Sequence, residues 1–104
     1  MSYRRYEILL PIRYNDGALV ETERLDLVLE ELSERFGGLT FHLEQLRGVW
    51  LHQNQRFEES NVRLVVDVED SPETSDFFVQ YQQSLKERFR QIDIWIVSYD
   101  IRIT

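Results

Sequence analysis

Hydrophobic and polar residues alternate in four stretches of the chain, with the period of two that is typical of a β-strand with one buried face. In the first stretch, Tyr6, Ile8, Leu10 and Ile12 fall on the same side. The other stretches lie at 39–52, at 62–69 and from 92 to the last residue. Because Gly48 interrupts the second stretch, we predict a β-bulge there. The pattern therefore predicts four strands.

Two further segments repeat apolar residues every three or four positions, which predicts amphipathic helices. The first stripe consists of Leu25, Val28, Leu29, Leu32 and Phe36, and the second of Phe78, Tyr81, Leu85 and Phe89. Gly37-Gly38 is typical of a helix C-terminus, and Ser71-Pro72-Glu73 combines an N-cap, a first-turn proline and an acid near the positive helix end. Turn-forming residues at 15–17 and 53–55 separate neighbouring elements. The predicted order is β-α-β-β-α-β.

An internal repeat links the two halves of this order. The segments 32–36 (LSERF) and 85–89 (LKERF) lie 53 residues apart (89 − 36), and the same offset superimposes the strands that follow them. Two tandem β-α-β halves with right-handed crossovers form the ferredoxin-like plan. We therefore expect a single domain, 1–104, of the α+β class, with an antiparallel sheet of order 4-1-3-2 and both helices on one face.

Composition narrows the classes of function. The 104 residues include no cysteine, which excludes disulfides, thiolate zinc sites, iron–sulfur clusters and a cysteine nucleophile. The formal net charge of −7 disfavours contact with phosphate backbones, so nucleic acid is not expected as a partner. No apolar run reaches the roughly 20 residues that cross a bilayer, and the polar start lacks a secretory signal pattern. We expect an acidic cytoplasmic protein that contacts no membrane.

The sheet face away from the helices is predicted to be apolar. Strand alternation places Leu9, Val65, Trp95, Val97 and Tyr99 there, and Ile101 and Ile103 continue in phase. In the expected topology the last strand is also an exposed edge. We predict that a second copy covers this surface in a homodimer. The alternative is that the last residues fold back over their own sheet.

The aromatic residues of this face are the most informative candidates for a site. A sheet lined by Trp50, Trp95 and Tyr99 can hold a flat ligand or pack against another subunit. The predicted interface or ligand-binding residues are Trp50, Trp95, Val97, Tyr99, Ile101 and His42.

Polar residues with catalytic or ligating potential are few. His42 and His52 are the two histidines, and their separation fits no metal-ligand spacing. Solvation and the helix dipole explain the acids at 67–70. We predict no metal site, no cofactor and no catalytic residue.

The pattern Arg35-Phe36-Gly37-Gly38-Leu39-Thr40 followed by Gly48-Val49-Trp50 resembles a group of small bacterial ferredoxin-like proteins with an Arg-Phe…Gly-x-Thr…Gly-x-Trp signature. The similarity spans about residues 14–99. This resemblance implies the ferredoxin-like fold but does not imply any particular activity. In outline the chain is also similar to dimeric α/β-barrel proteins, which include cofactor-independent monooxygenases and isomerases, although no catalytic motif of theirs is present.

Two functions from different classes follow. The first is a homo-oligomeric module that binds a protein or a small molecule through the non-helix face. The alternative is a small enzyme of the dimeric barrel type, which requires a pocket between facing sheets and polar groups that orient a substrate. An RNA-binding role would need basic charge that this chain lacks.

Overall fold

The chain forms a four-stranded sheet with two helices. The computed structural model describes the backbone of residues 2–38 and 40–104, and side chains except those of 41–52 and 55–60. The elements are β1 (Tyr3–Pro11), α1 (Thr22–Phe36), β2 (Thr40–His52), β3 (Gln55–Glu69), α2 (Pro72–Arg88) and β4 (Ile96–Ile101). The strand order is β2-β3-β1-β4, and each neighbouring pair is antiparallel. The predicted α+β class is confirmed.

α1 ends and α2 begins where the capping residues predict. Gly37 adopts a φ of 81°, and its N–H donates to the carbonyl of Ser33, which closes α1. Ser71 accepts a hydrogen bond from the Thr74 N–H at 3.1 Å, and Pro72 begins α2. The predicted termini are therefore confirmed at both positions.

The hydrophobic core lies between the helices and one face of the sheet. The even-numbered residues at 6–10 of β1 and at 62–68 of β3 are buried in this core, and the ring of Tyr6 stacks on Phe78 of α2 with centroids 3.9 Å apart. The internal repeat is visible in this core, because Leu32 and Leu85 are both fully buried. The buried residues of this core cluster are Tyr6, Ile8, Leu10, Tyr14, Val20, Val28, Leu32, Val62, Leu64, Val66, Val68, Phe78, Tyr81, Leu85, Phe89 and Ile94.

The last strand is shorter than the sequence predicts. β4 begins at Ile96 and ends at Ile101, and Ile92 is 47% exposed. After α2 the chain turns through Arg90, which has a φ of 54°, so regular pairing starts only later. The strand ends at Ile101 because its partner on β1, Tyr3, is the first residue of that strand.

The irregularity of β2 also differs from the prediction. The register with β3 shifts between His42 and Leu46, and not at Gly48. Gln53 and Asn54 both have positive φ and form the predicted turn, which fixes the register at the far end of the hairpin. At the start of β2, the packing of the core on β3 fixes the register. The two registers differ, and the irregularity between His42 and Leu46 accommodates the difference.

Candidate functional site

In the described part of the chain, the non-helix face of the sheet is formed by odd-numbered residues of β1, of 63–69 in β3 and of β4. Strand pairing arranges them in rows: Arg5 of β1 is aligned with Asp67 of β3 and Tyr99 of β4, and the next row centres on Glu7. The row of Glu7 continues to Val65 and Val97. Each row therefore joins a polar residue of β1 to an apolar or aromatic residue of β4.

Side chains of β4 and the residue before it form an apolar column on this face. Trp95 is 62% exposed and Tyr99 is 42% exposed, whereas Val97 and Ile101 are half-buried. We call Trp95, Val97, Tyr99 and Ile101 the β4 column. In β3, Val65 is buried, so the exposed apolar surface is concentrated at one side of the face.

Beside the β4 column, charged residues pair with one another. Arg5 donates two hydrogen bonds to the Asp67 carboxylate, at 2.7 and 2.9 Å, and these bonds hold the pKa of Asp67 below its ordinary value. Glu7 accepts a hydrogen bond from the Tyr99 hydroxyl at 3.1 Å and lies 3.2 Å from an Arg63 guanidinium nitrogen. The prediction of an apolar face is thus corrected, because strand alternation brings these charges to the same side as Leu9 and Val65.

A cavity of about 220 Å³ opens on this face. An indole, a carboxylate and a guanidinium meet there, which is a suitable combination for a flat ligand that also carries polar groups. Its lining consists of Glu7, Leu9, Arg63, Trp95 and Val97.

The structure brings four of the six predicted site residues together, namely the β4 column. The other two, His42 and Trp50, have side chains outside the described part of the chain. Their backbone positions in β2 pair with Arg63 and Phe57 of β3, respectively.

Sequence reasoning missed Glu7 and Arg63, since each looks like an ordinary surface charge. The signal that could have found them is strand phase, because both alternate in step with the apolar residues assigned to this face.

The described residues form neither a metal site nor a membrane span. Within that part of the chain, no three histidine, cysteine, aspartate or glutamate side chains cluster as metal ligands would. None of the helices described has the length and apolar character needed to traverse a bilayer.

Comparison with known proteins finds structures of similar fold but does not assign the chain to a family. No family model matches the sequence, and no curated protein matches it. A phage SAM lyase solved in complex with S-methyl-5'-thioadenosine aligns over 97% of this chain and 90% of its own, with 19% identity and a TM-score of 0.66. The divalent cation tolerance protein CutA1 of Thermus thermophilus aligns over 98% and 86%, with 14% identity and a TM-score of 0.64.

A third similar structure is the GlnK–ATP complex of B. subtilis. It aligns over 96% of this chain and 82% of its own, with 18% identity and a TM-score of 0.50. At these identities the likenesses establish a shared small α+β fold.

Proposed function

We propose that this protein is a homo-oligomeric module, at least a dimer, whose non-helix sheet face is covered by another copy and holds a small ligand. The observation that carries the proposal is the β4 column, in which an indole that is 62% exposed and a phenol ring that is 42% exposed lie on one sheet face. Aromatic side chains contribute most to interface energetics when they are buried, and contiguous apolar surface on a monomer marks interaction sites.

The neighbouring charges support burial of this face. Uncompensated charges would oppose desolvation, but Arg5 is already paired with Asp67, and Glu7 is held by Tyr99 and Arg63. A covering subunit would therefore meet charges that are paired within the chain. Read from β4, the strand order corresponds to the ferredoxin-like plan, which leaves this face without helices.

The test compares two lysine substitutions by size-exclusion chromatography with light scattering. Tyr99→Lys places a charge in the β4 column, and Val79→Lys places one on α2 at a valine that is 67% exposed. We expect wild type and Val79→Lys to elute as an oligomer and Tyr99→Lys to shift to the 12.6 kDa monomer. Equal masses for all three proteins would contradict the proposal.

A second candidate function concerns the ligand itself, an adenosine-containing small molecule. It is favoured by the cavity beside Trp95, where an indole can stack on a purine and Glu7 can accept hydrogen bonds from hydroxyl or amino groups. Two of the structures that share the fold were solved with compounds of this class, S-methyl-5'-thioadenosine and ATP.

Calorimetric titration with S-methyl-5'-thioadenosine and with ATP tests this candidate. We expect saturable binding of at least one compound to wild type and at least about tenfold weaker binding to Trp95→Ala, which corresponds to the loss of one stacked base. The Val79→Lys protein is the matched control and should bind as wild type does. Absence of heat with both compounds, or equal binding by Trp95→Ala, would reject an adenosine ligand at this cavity.

A further inference from the structure

The outer edge of β4 is a second surface, separate from the sheet face. β4 is the last strand in the sheet order, and no other strand pairs with its outer side in the described part of the chain. The Leu9 N–H donates to the carbonyl of Trp95 at 3.0 Å, so backbone groups of odd-numbered residues point toward β1. In an antiparallel pair this direction alternates along the strand. The backbone groups of Ile96, Ser98 and Asp100 therefore point outward.

This edge contains neither of the two residue types, proline and lysine, that often prevent strand addition. Residues 96–101 (IVSYDI) contain no proline and no lysine. The one charged side chain of β4, Asp100, is bound by Arg4 at 2.6 Å. Arg4 also donates to the Ser98 hydroxyl at 3.1 Å, so it ties both polar side chains to the chain's own residues. Both polar side chains of this edge are thus bound within the chain, while in the described part of the chain no strand pairs with the outward backbone groups.

β4 can pair with itself in an antiparallel register that aligns its apolar residues with one another. The backbone N–H and C=O groups that point outward from β4 belong to even-numbered residues. In a pairing of two β4 edges, even-numbered residues of one copy must therefore lie opposite even-numbered residues of the other. Centring the pairing on Tyr99 aligns Val97 with Ile101 of a second copy and Trp95 with Ile103 of a second copy. On the opposite side it aligns Ser98 with Asp100 of a second copy. All aligned side chains on the non-helix face are then apolar or aromatic.

The same register explains the apolar residue Ile103, which lies past the last residue of β4 that pairs with β1. Ile103 is 58% exposed and lies past Ile101, the last residue of β4 that β1 can pair with. A strand from a second copy would extend the pairing to this residue. In the described part of the chain, Ile103 is not among the residues that form the core or pack against it.

We infer that the outer edge of β4 pairs with β4 of a second copy, antiparallel and centred on Tyr99, to form a continuous sheet across two subunits. The occupant is a second copy of this chain, because this register aligns Val97 with Ile101 and Ser98 with Asp100 of the same sequence. This inference goes beyond the proposed function, since it concerns backbone groups at the edge and not side chains on the face.

Amide hydrogen exchange measured by NMR tests the edge directly. At protein concentrations where the chain is associated, the amides of Ile96, Ser98 and Asp100 should exchange at least about tenfold more slowly than in a dilute sample. The amides of Val97 and Tyr99 point toward β1 and serve as internal controls whose exchange should change less. Equally fast exchange of the three outward amides at both concentrations would overturn the inference.

A pair of substitutions separates the edge from the face. Ser98→Pro removes an outward N–H and is compatible with an edge strand, and Ser98→Ala loses the same hydroxyl but keeps the N–H. We expect Ser98→Pro to lose the edge-paired dimer and Ser98→Ala to retain it. If both associate equally while Tyr99→Lys is monomeric, the edge inference fails and the proposed face interaction stands.

A disulfide cross-link tests the register. Since the chain contains no cysteine, a single introduced cysteine can form a disulfide only with its copy in a second chain. In the inferred pairing, Tyr99 faces itself at a position without hydrogen bonds, where Cα atoms approach to about 4.5 Å. Tyr99→Cys should therefore form a disulfide-linked dimer under mild oxidation, and adding Ser98→Pro should abolish it. A cross-link that survives in the double variant would contradict strand pairing at this edge.

Discussion

Replacing Phe89 by alanine is expected to destabilise the protein far more than replacing Phe36, although the two residues occupy the same position of the internal repeat. Phe89 is completely buried, whereas Phe36 is half-buried and contacts Phe77 and Phe78 at centroid distances of 5.4 Å. Truncating a fully buried phenylalanine costs about 3–5 kcal/mol, because it removes transfer free energy and leaves a cavity. A half-buried ring that solvent can partly replace should cost about 1–2 kcal/mol.

The assay is urea denaturation of Phe89→Ala, Phe36→Ala and wild type at one fixed protein concentration, so that any association contributes equally. A domain of this size has a total stability of about 5–15 kcal/mol, and Phe89→Ala is therefore expected to be marginally folded. The difference between the two variants should be about 2 kcal/mol or more. Equal costs, or a larger cost at Phe36, would refute the assignment of Phe89 to the centre of the core.

Two further predictions concern polar groups. Arg88 donates hydrogen bonds to Glu31 and holds its pKa below the ordinary value, and Tyr81 donates a further one at 2.9 Å. Because the folded-state pKa is depressed, this stabilisation is complete above the ordinary pKa of about 4.3 and is lost as pH falls through the folded-state pKa. The stability advantage of wild type over Glu31→Gln in urea should therefore shrink below about pH 4, and a constant difference would contradict the contact. At the start of α2, Ser71→Ala should cost about 1 kcal/mol by the same assay, and Gln80→Ala on the exposed helix surface should cost less than about 0.5 kcal/mol.

The parts of the fold that the sequence predicted are those in which local chemistry and burial agree. The C-terminus of α1 and the N-terminus of α2 follow from capping residues, and the buried stripes of both helices follow from helical periodicity. The turn at Gln53-Asn54 was predicted for the same reason, since asparagine tolerates positive φ. Each of these features depends on short-range interactions that a single sequence contains.

The errors arose where the outcome depends on a partner strand. β4 is short because β1, its partner, begins only at Tyr3, and the bulge of β2 lies before Leu46 because two competing registers meet there. Neither fact is visible in the alternation of the strand itself. The candidate site shows the same division: apolar alternation identified the β4 column, whereas Glu7 and Arg63 became candidates only once the register placed them beside Trp95.

The mass of the wild-type protein in solution tests whether another copy covers the non-helix face of the sheet. Sedimentation velocity at micromolar concentration should give a species of at least twice the 12.6 kDa chain, because the exposed rings of Trp95 and Tyr99 are covered by another copy. A single species of 12.6 kDa at every concentration would contradict the account, since the β4 column would then face solvent.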